Sequence, residues 1–185
     1  MLTDILERSK EEQEIIGLWT YDDEDGFWSG YVVDFNEEMV VFKHFTKYGK
    51  SDGIIIESMQ NIASIDFNDD YSKCMAYIIK NAEKLELQED IQLNIKDIEN
   101  WHHEVLADQI ANPNRIVRMI MESDETYCGL VEWVDDENLV IRLIDKEGQD
   151  EGNTLFRLED IKTLRINDLE NRRRLLLYNW KHQRI

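Results

Sequence analysis

The sequence predicts a mainly β protein with flanking helices, built as two tandem small β-barrels related by an internal repeat. Three observations carry that prediction. Residues 47–53, KYGKSDG, and 146–152, KEGQDEG, share a lysine, a glycine, an acid and a second glycine at the same spacing. A gapless shift of 99 residues then pairs Gly30/Gly129, Val32/Val131, Glu38/Glu137, Val41/Val140, Lys47/Lys146, Gly49/Gly148, Gly53/Gly152, Ile62/Ile161, Asn68/Asn167 and Asp69/Asp168. Between these identities lie short apolar runs of strand length. Two copies exclude a long solenoid and leave a pair of compact domains. The expected division is 1–85 for the first domain, 86–99 for a linker and 100–185 for the second.

Each copy is expected to open with a helix, over 3–15 and again before Pro113, where Trp101, Val105 and Ile110 are placed on one face. Pro113 closes it, because the residue before proline avoids the α region. The first copy then gives strand-like runs at IIGLWTYD, FWSGYVVDF, EMVVFKHF, IIIES and IASIDF. The second gives RIVRMIME, YCGLVEWV, NLVIRLI, TLFRL and IKTLRI. Gly53 and Gly152 supply positive φ where a hairpin needs it. A helix follows the last strand of each copy. In the first, Tyr71, Cys74, Met75, Ile78, Ile79 and Ala82 form an apolar stripe. Five short strands with an added helix suggest an SH3-like barrel, whose nearly closed pairing hides most sheet edges.

At 42% hydrophobic and 10% aromatic residues, the chain is apolar enough to fold throughout. Its 40 acids against 21 bases give a net charge of −19, which opposes attraction to nucleic acid and to anionic membrane surfaces. Nucleic acid and membrane are therefore not the expected partners. From Lys162 onward the sign inverts, with seven bases against two acids. Cys74 and Cys128 are too few for a disulfide framework, and MLTDILERSK lacks the apolar stretch of an export signal. No run approaches the length of a membrane span. A cytoplasmic location is expected.

The barrel strands resemble the Sm and Sm-like family. Its first motif has glycine, then apolar residues, an acid, and a methionine–asparagine–apolar run. Gly30, Val32, Phe35, Asn36, Met39, Val40 and Val41 follow it in one copy, and Gly129, Val131, Val134, Asp135, Asn138, Leu139 and Val140 in the other. The resemblance implies a helix followed by a five-stranded barrel. It also implies subunits joined edge to edge, which a tandem chain would do internally as a pseudo-dimer, with homo-oligomers as an extension. The RNA-binding residues are missing. Val40 and Leu139 stand where the family's base-contacting asparagine falls, and Ser58–Met59 and Arg157–Leu158 stand in place of its Arg-Gly pair.

No pattern points to catalysis, a cofactor or a metal. In YDDEDGFW, residues 21–28, setting Gly26 at the sixth position of a calcium loop puts Tyr21 first and Val32 last, where acids are required. His102 and His103 are adjacent and diverge on a helix, while His44 and His182 are isolated. Cys74 and Cys128 are read as small core residues. NRRRLLLYNWKHQR, residues 171–184, offers Arg172, Arg173, Arg174, Tyr178 and Trp180 for phosphate gripping and base stacking, with Arg157 as the surviving Sm-type arginine. The competing expectation packs this helix through Leu169, Leu176 and Trp180 and pairs its arginines with acids. Trp19, Phe27, Trp28 and Tyr31 are the candidate protein contacts, with one of the adjacent Phe27 and Trp28 in the core and the other exposed. The function expected is a non-enzymatic module that binds a protein partner, selected as basic by the acidic charge. An RNA-associated Sm-like protein is the first alternative, and a small-ligand or metal-responsive regulator the second.

Overall fold

The computed structural model describes residues 1–21, 26–86 and 90–183. The chain divides into two compact units, Met1–Glu83 and Lys84–Ile185. The first contains α1 (Leu2–Glu12), β1 (Ile16–Thr20), β2 (Trp28–Phe35), β3 (Met39–Phe45), β4 (Ser51–Ser58), β5 (Ile62–Phe67) and α2 (Asp70–Lys80). The second contains α3 (Trp101–Ala111), β6 (Val117–Met121), β7 (Thr126–Val134), β8 (Asn138–Ile144), β9 (Asp150–Arg157), β10 (Ile161–Ile166) and α4 (Leu169–His182). Each unit holds one five-stranded antiparallel sheet. The orders, β4-β3-β2-β1-β5 and β9-β8-β7-β6-β10, run through the strands in the same sequence.

Residues shared at the 99-residue spacing mark places where the backbone leaves little choice. A Cβ on Gly30 would fall 1.8 Å from the Lys43 carbonyl oxygen, and one on Gly129 would fall 2.0 Å from that of Arg142. Only glycine lets β2 and β7 approach their neighbours there. The glycine turns have two separate causes. Gly49 (φ +74°) and Gly148 (φ +80°) lie against the backbone of α2 and α4, whereas Gly53 (φ +91°) and Gly152 (φ +86°) face open space and need only the positive φ. Asn68 and Asn167 take left-handed φ values of 57° and 53°, which asparagine tolerates. The aspartates that follow cap the helices: Asp69 accepts from Ser72 N at 2.7 Å and Asp168 from Asn171 N at 2.8 Å.

Each sheet packs its inner face against its first helix. In one unit Leu6 of α1 joins Ile16, Leu18, Val32, Val40 and Phe42. In the other, Leu106 of α3 joins Val117, Met119, Val131, Leu139 and Ile141. Partly exposed positions alternate with these over most of β3, β6 and β8, as the pleat requires.

Four expectations are corrected. Neither sheet closes into a barrel: β4 pairs only with β3 and β5 only with β1, and likewise β9 with β8 and β10 with β6, so each sheet keeps two edges among the described residues. The gapless shift fails in the first strand, because Ile16 opposes Gly30 whereas Val117 opposes Gly129. The β1–β2 connection is therefore two residues longer than its counterpart, and Trp19 corresponds to Ile120 rather than Arg118. In α3 the buried face is Val105, Leu106 and Gln109, with Ile110 exposed. In α4 the buried residues are Asn171, Arg173 and Leu177, with Leu169 exposed. The stripe shifts because the Gly148 turn, pressed against Leu177 and Tyr178, decides which side of the helix faces inward.

Candidate protein-contact surface

Trp19 is the partly exposed position of β1, on the face opposite Leu18, and Gly17, buried itself, lies on the same outer face. With no side chain on Gly17, the Phe27 ring lies over β1: a Cβ there would sit 2.8 Å from Phe27 Cδ2. Phe27 is flanked by Trp19, tilted at 4.8 Å between ring centroids, and by Tyr71 of α2, edge-on at 5.1 Å. On β5, Asp66 opposes Gly17 in the ladder and accepts from Trp19 Nε1 at 2.7 Å, fixing the indole. The three rings are partly exposed. Together they form a platform bordered by a carboxylate, suited to apolar contact on the ring faces and to cations beside them.

Four aromatics singled out from the sequence thus separate into three places. Trp19 and Phe27 share the platform. Trp28 packs against the inner core and meets His44 edge-on at 5.2 Å. Tyr31 lies beside Phe45 on the far strands, 5.9 Å between centroids. Gly17 and Asp66 escaped sequence reading and Tyr71 entered it only as part of a helix stripe, because the platform draws on segments 49 residues apart and only the fold brings them together. The acidic residues Asp22–Asp25, considered as a cation site, lie outside the described residues.

Among the described residues, the second unit builds no such platform. Arg118 replaces Gly17 in the ladder and approaches Asp168 at 3.5 Å, while Ile120, Thr126, Arg165 and Glu170 take the places of Trp19, Phe27, Asp66 and Tyr71.

The RNA-contact candidates lie on α4 and at the end of β9. Arg172 donates to the Leu85 and Asn167 carbonyls at 2.7 and 2.5 Å, Arg173 to Lys146 O at 2.7 Å and Arg174 to Ile144 O at 2.5 Å. These arginines tie α4 to main-chain carbonyls, because strand ends and turns leave carbonyls without ladder partners. Trp180 is partly buried on the same helix. Arg157 is exposed and pairs with Glu159 at 3.0 Å, beside a cleft of about 400 Å³ that Asp136, Glu137 and Glu159 also line. Val40 and Leu139 are fully buried and present nothing to a base.

No group of three or more His, Cys, Asp or Glu side chains among the described residues is arranged to hold a metal ion. His102 stacks on Trp101 at 3.6 Å, and burial pushes its imidazole below the usual histidine range. Both cysteines are buried as free thiols. No helix among the described residues is long and apolar enough to cross a membrane. Comparison with known proteins finds no matching family model, no matching curated protein and no matching solved structure.

Proposed function

We propose that this chain is a non-enzymatic interaction module whose first unit holds a basic protein segment on the Trp19–Phe27–Tyr71 platform. The observation that supports it most is the placement of Phe27 over Gly17. A large apolar ring is displayed, partly exposed, on the outer face of a sheet, outside the core cluster of the inner face. Arginine and lysine side chains stack on such faces and bury their apolar stems along them. Charge favours the same class of partner, since residues 1–83 carry 18 acids and 7 bases. Asp66 adds a carboxylate beside the indole.

The scaffold under this reading is a duplicated five-strand unit of the SH3-like or Sm-like kind, opened at its edges. The common strand order and the paired glycines at 30/129, 49/148 and 53/152 support duplication. Burial of Val40 and Leu139, with backbone-bound arginines, argues for a scaffold without the Sm-type RNA pocket.

Affinity capture with the full chain tests the proposal. Partners retained by the wild type should fall about tenfold with Phe27→Ala, the loss expected of an aromatic anchor. Thr126→Ala, at the corresponding place in the second unit, should leave retention unchanged. Retention of RNA at physiological salt, with no protein whose binding depends on Phe27 or Trp19, would overturn it.

A further inference from the structure

We propose a second site of different chemistry: a cleft within the second unit that binds a small molecule bearing a phosphate or carboxylate group. The cleft has a volume of about 650 Å³ and lies between α4, the turn after α3 and residues Lys84, Glu86, Asp90 and Ile91. That size falls within the range of ordinary small-molecule sites. Leu175, Leu176 and Ile91 give it an apolar side, and Asn112, Asn114, Asn167 and Asn179 give it carboxamides.

Three bases, Lys84, Arg115 and Arg172, meet here against two acids, Glu86 and Asp90, so the lining is net cationic in a chain of charge −19. Arg172 is the best-fixed of them. Its Nε and Nη1 are committed to the Leu85 and Asn167 carbonyls, which holds the guanidinium plane and leaves its other N–H groups for a ligand. Arg115 is held by Asp108 at 3.4 Å. Among the described residues, neither the Lys84 ammonium nor the side-chain amides of Asn114, Asn167 and Asn179 have a partner. A fixed guanidinium, an uncommitted ammonium and uncommitted amides around one cleft match a planar or tetrahedral oxyanion, and the leucines accommodate an attached apolar body. This site shares no residue with the aromatic platform and stands whether or not the platform binds protein.

The test is an NMR titration of the full chain, following the side-chain amide signals of Asn114 and Asn179. Sodium phosphate and sodium citrate are the probes, with sodium chloride at matched ionic strength as the control. The expected result is a saturable shift with phosphate or citrate and none with chloride. Whichever binds more tightly identifies the anionic group. Lys84→Gln and Asn179→Leu should each weaken binding about tenfold, the effect of removing one hydrogen bond to a charged group. Lys84 is exposed, so its variant keeps the test sound if Asn179→Leu fails to fold. Shifts that never saturate, follow total salt, or persist unchanged in the Lys84 variant would overturn the site.

Discussion

At one place in the outer face of the first strand, the first unit has Gly17 and the second has Arg118. The glycine leaves room for Phe27 and for a platform of three rings; the arginine fills that room and turns to Asp168. On the inner face the same strands agree, with Ile16 and Leu18 against Val117 and Met119. Positions that set backbone path and core are held in common, while outward positions have separated. In a pair of units built this way, function is to be sought where they differ. The platform belongs to one unit, and the cleft beside α4 to the other.

The comparison can be broken hardest at the glycine turns. Gly148→Ala would place a Cβ 2.5 Å from the Tyr178 amide nitrogen, on a residue already at positive φ, and Gly49→Ala would place one 2.9 Å from the Ile78 carbonyl oxygen. Helix backbone cannot yield as a side-chain tip can. Each change should cost about 3 kcal/mol or more. Gly53→Ala and Gly152→Ala meet nothing within 4 Å and should cost only about 1 kcal/mol for the left-handed backbone. Urea denaturation of the four variants checks the contrast. Equal losses at all four positions would mean that the turns do not brace the helices.

Gly17→Ala is expected to act on the surface rather than on stability. Its Cβ would meet Phe27 Cδ2, an atom of a partly exposed side chain rather than of the backbone, so the loss should stay below about 1 kcal/mol. Trp19 fluorescence should change as Phe27 leaves, and capture of the basic partner should fall with it. Normal capture by a variant with displaced Phe27 would remove the ring from the binding surface while leaving the fold intact.

These glycines also show what a sequence discloses. Strand positions and the hairpin turns were legible because Gly53 and Gly152 answer a local backbone demand, whereas Asn68 and Asp69 stood out only as residues repeated at the 99-residue spacing, their capping geometry being set by the fold. The open sheet edges were not, since pairing between β4 and β5 depends on how far each sheet curls. The platform was half legible: Trp19 and Phe27 stand out by type, but nothing in a lone Gly17 announces a ring lying on it. Arg172 to Arg174 read two ways for the opposite reason. Three adjacent arginines fit phosphate contacts and helix packing equally by type, and the carbonyls that hold them come from Leu85, Ile144, Lys146 and Asn167, far away in the chain or around a turn.

The smallest expected effect separates the units by charge alone. In the β2–β3 turn, Asn36 Oδ1 accepts from the Glu38 and Met39 amides, both at 2.8 Å. In the β7–β8 turn, Asp135 Oδ1 accepts from Glu137 N at 2.9 Å and Asn138 N at 2.6 Å. The two turns do the same work, but only one titrates. The Glu137 and Asn138 amides hold the Asp135 carboxyl below the usual aspartate range. A depressed folded pKa means that the stabilisation is complete above the unfolded value and is lost as pH falls through the folded one. Acid should therefore loosen the second unit's turn and leave the first unit's turn unaffected through this group. Asp135→Asn should remove that pH dependence with little change at neutral pH, and Asn36→Asp should confer it on the first unit. The amide shifts of Glu137 and Asn138, followed against pH, measure it directly. A midpoint at the ordinary aspartate value would show that these hydrogen bonds do not favour the charged carboxylate.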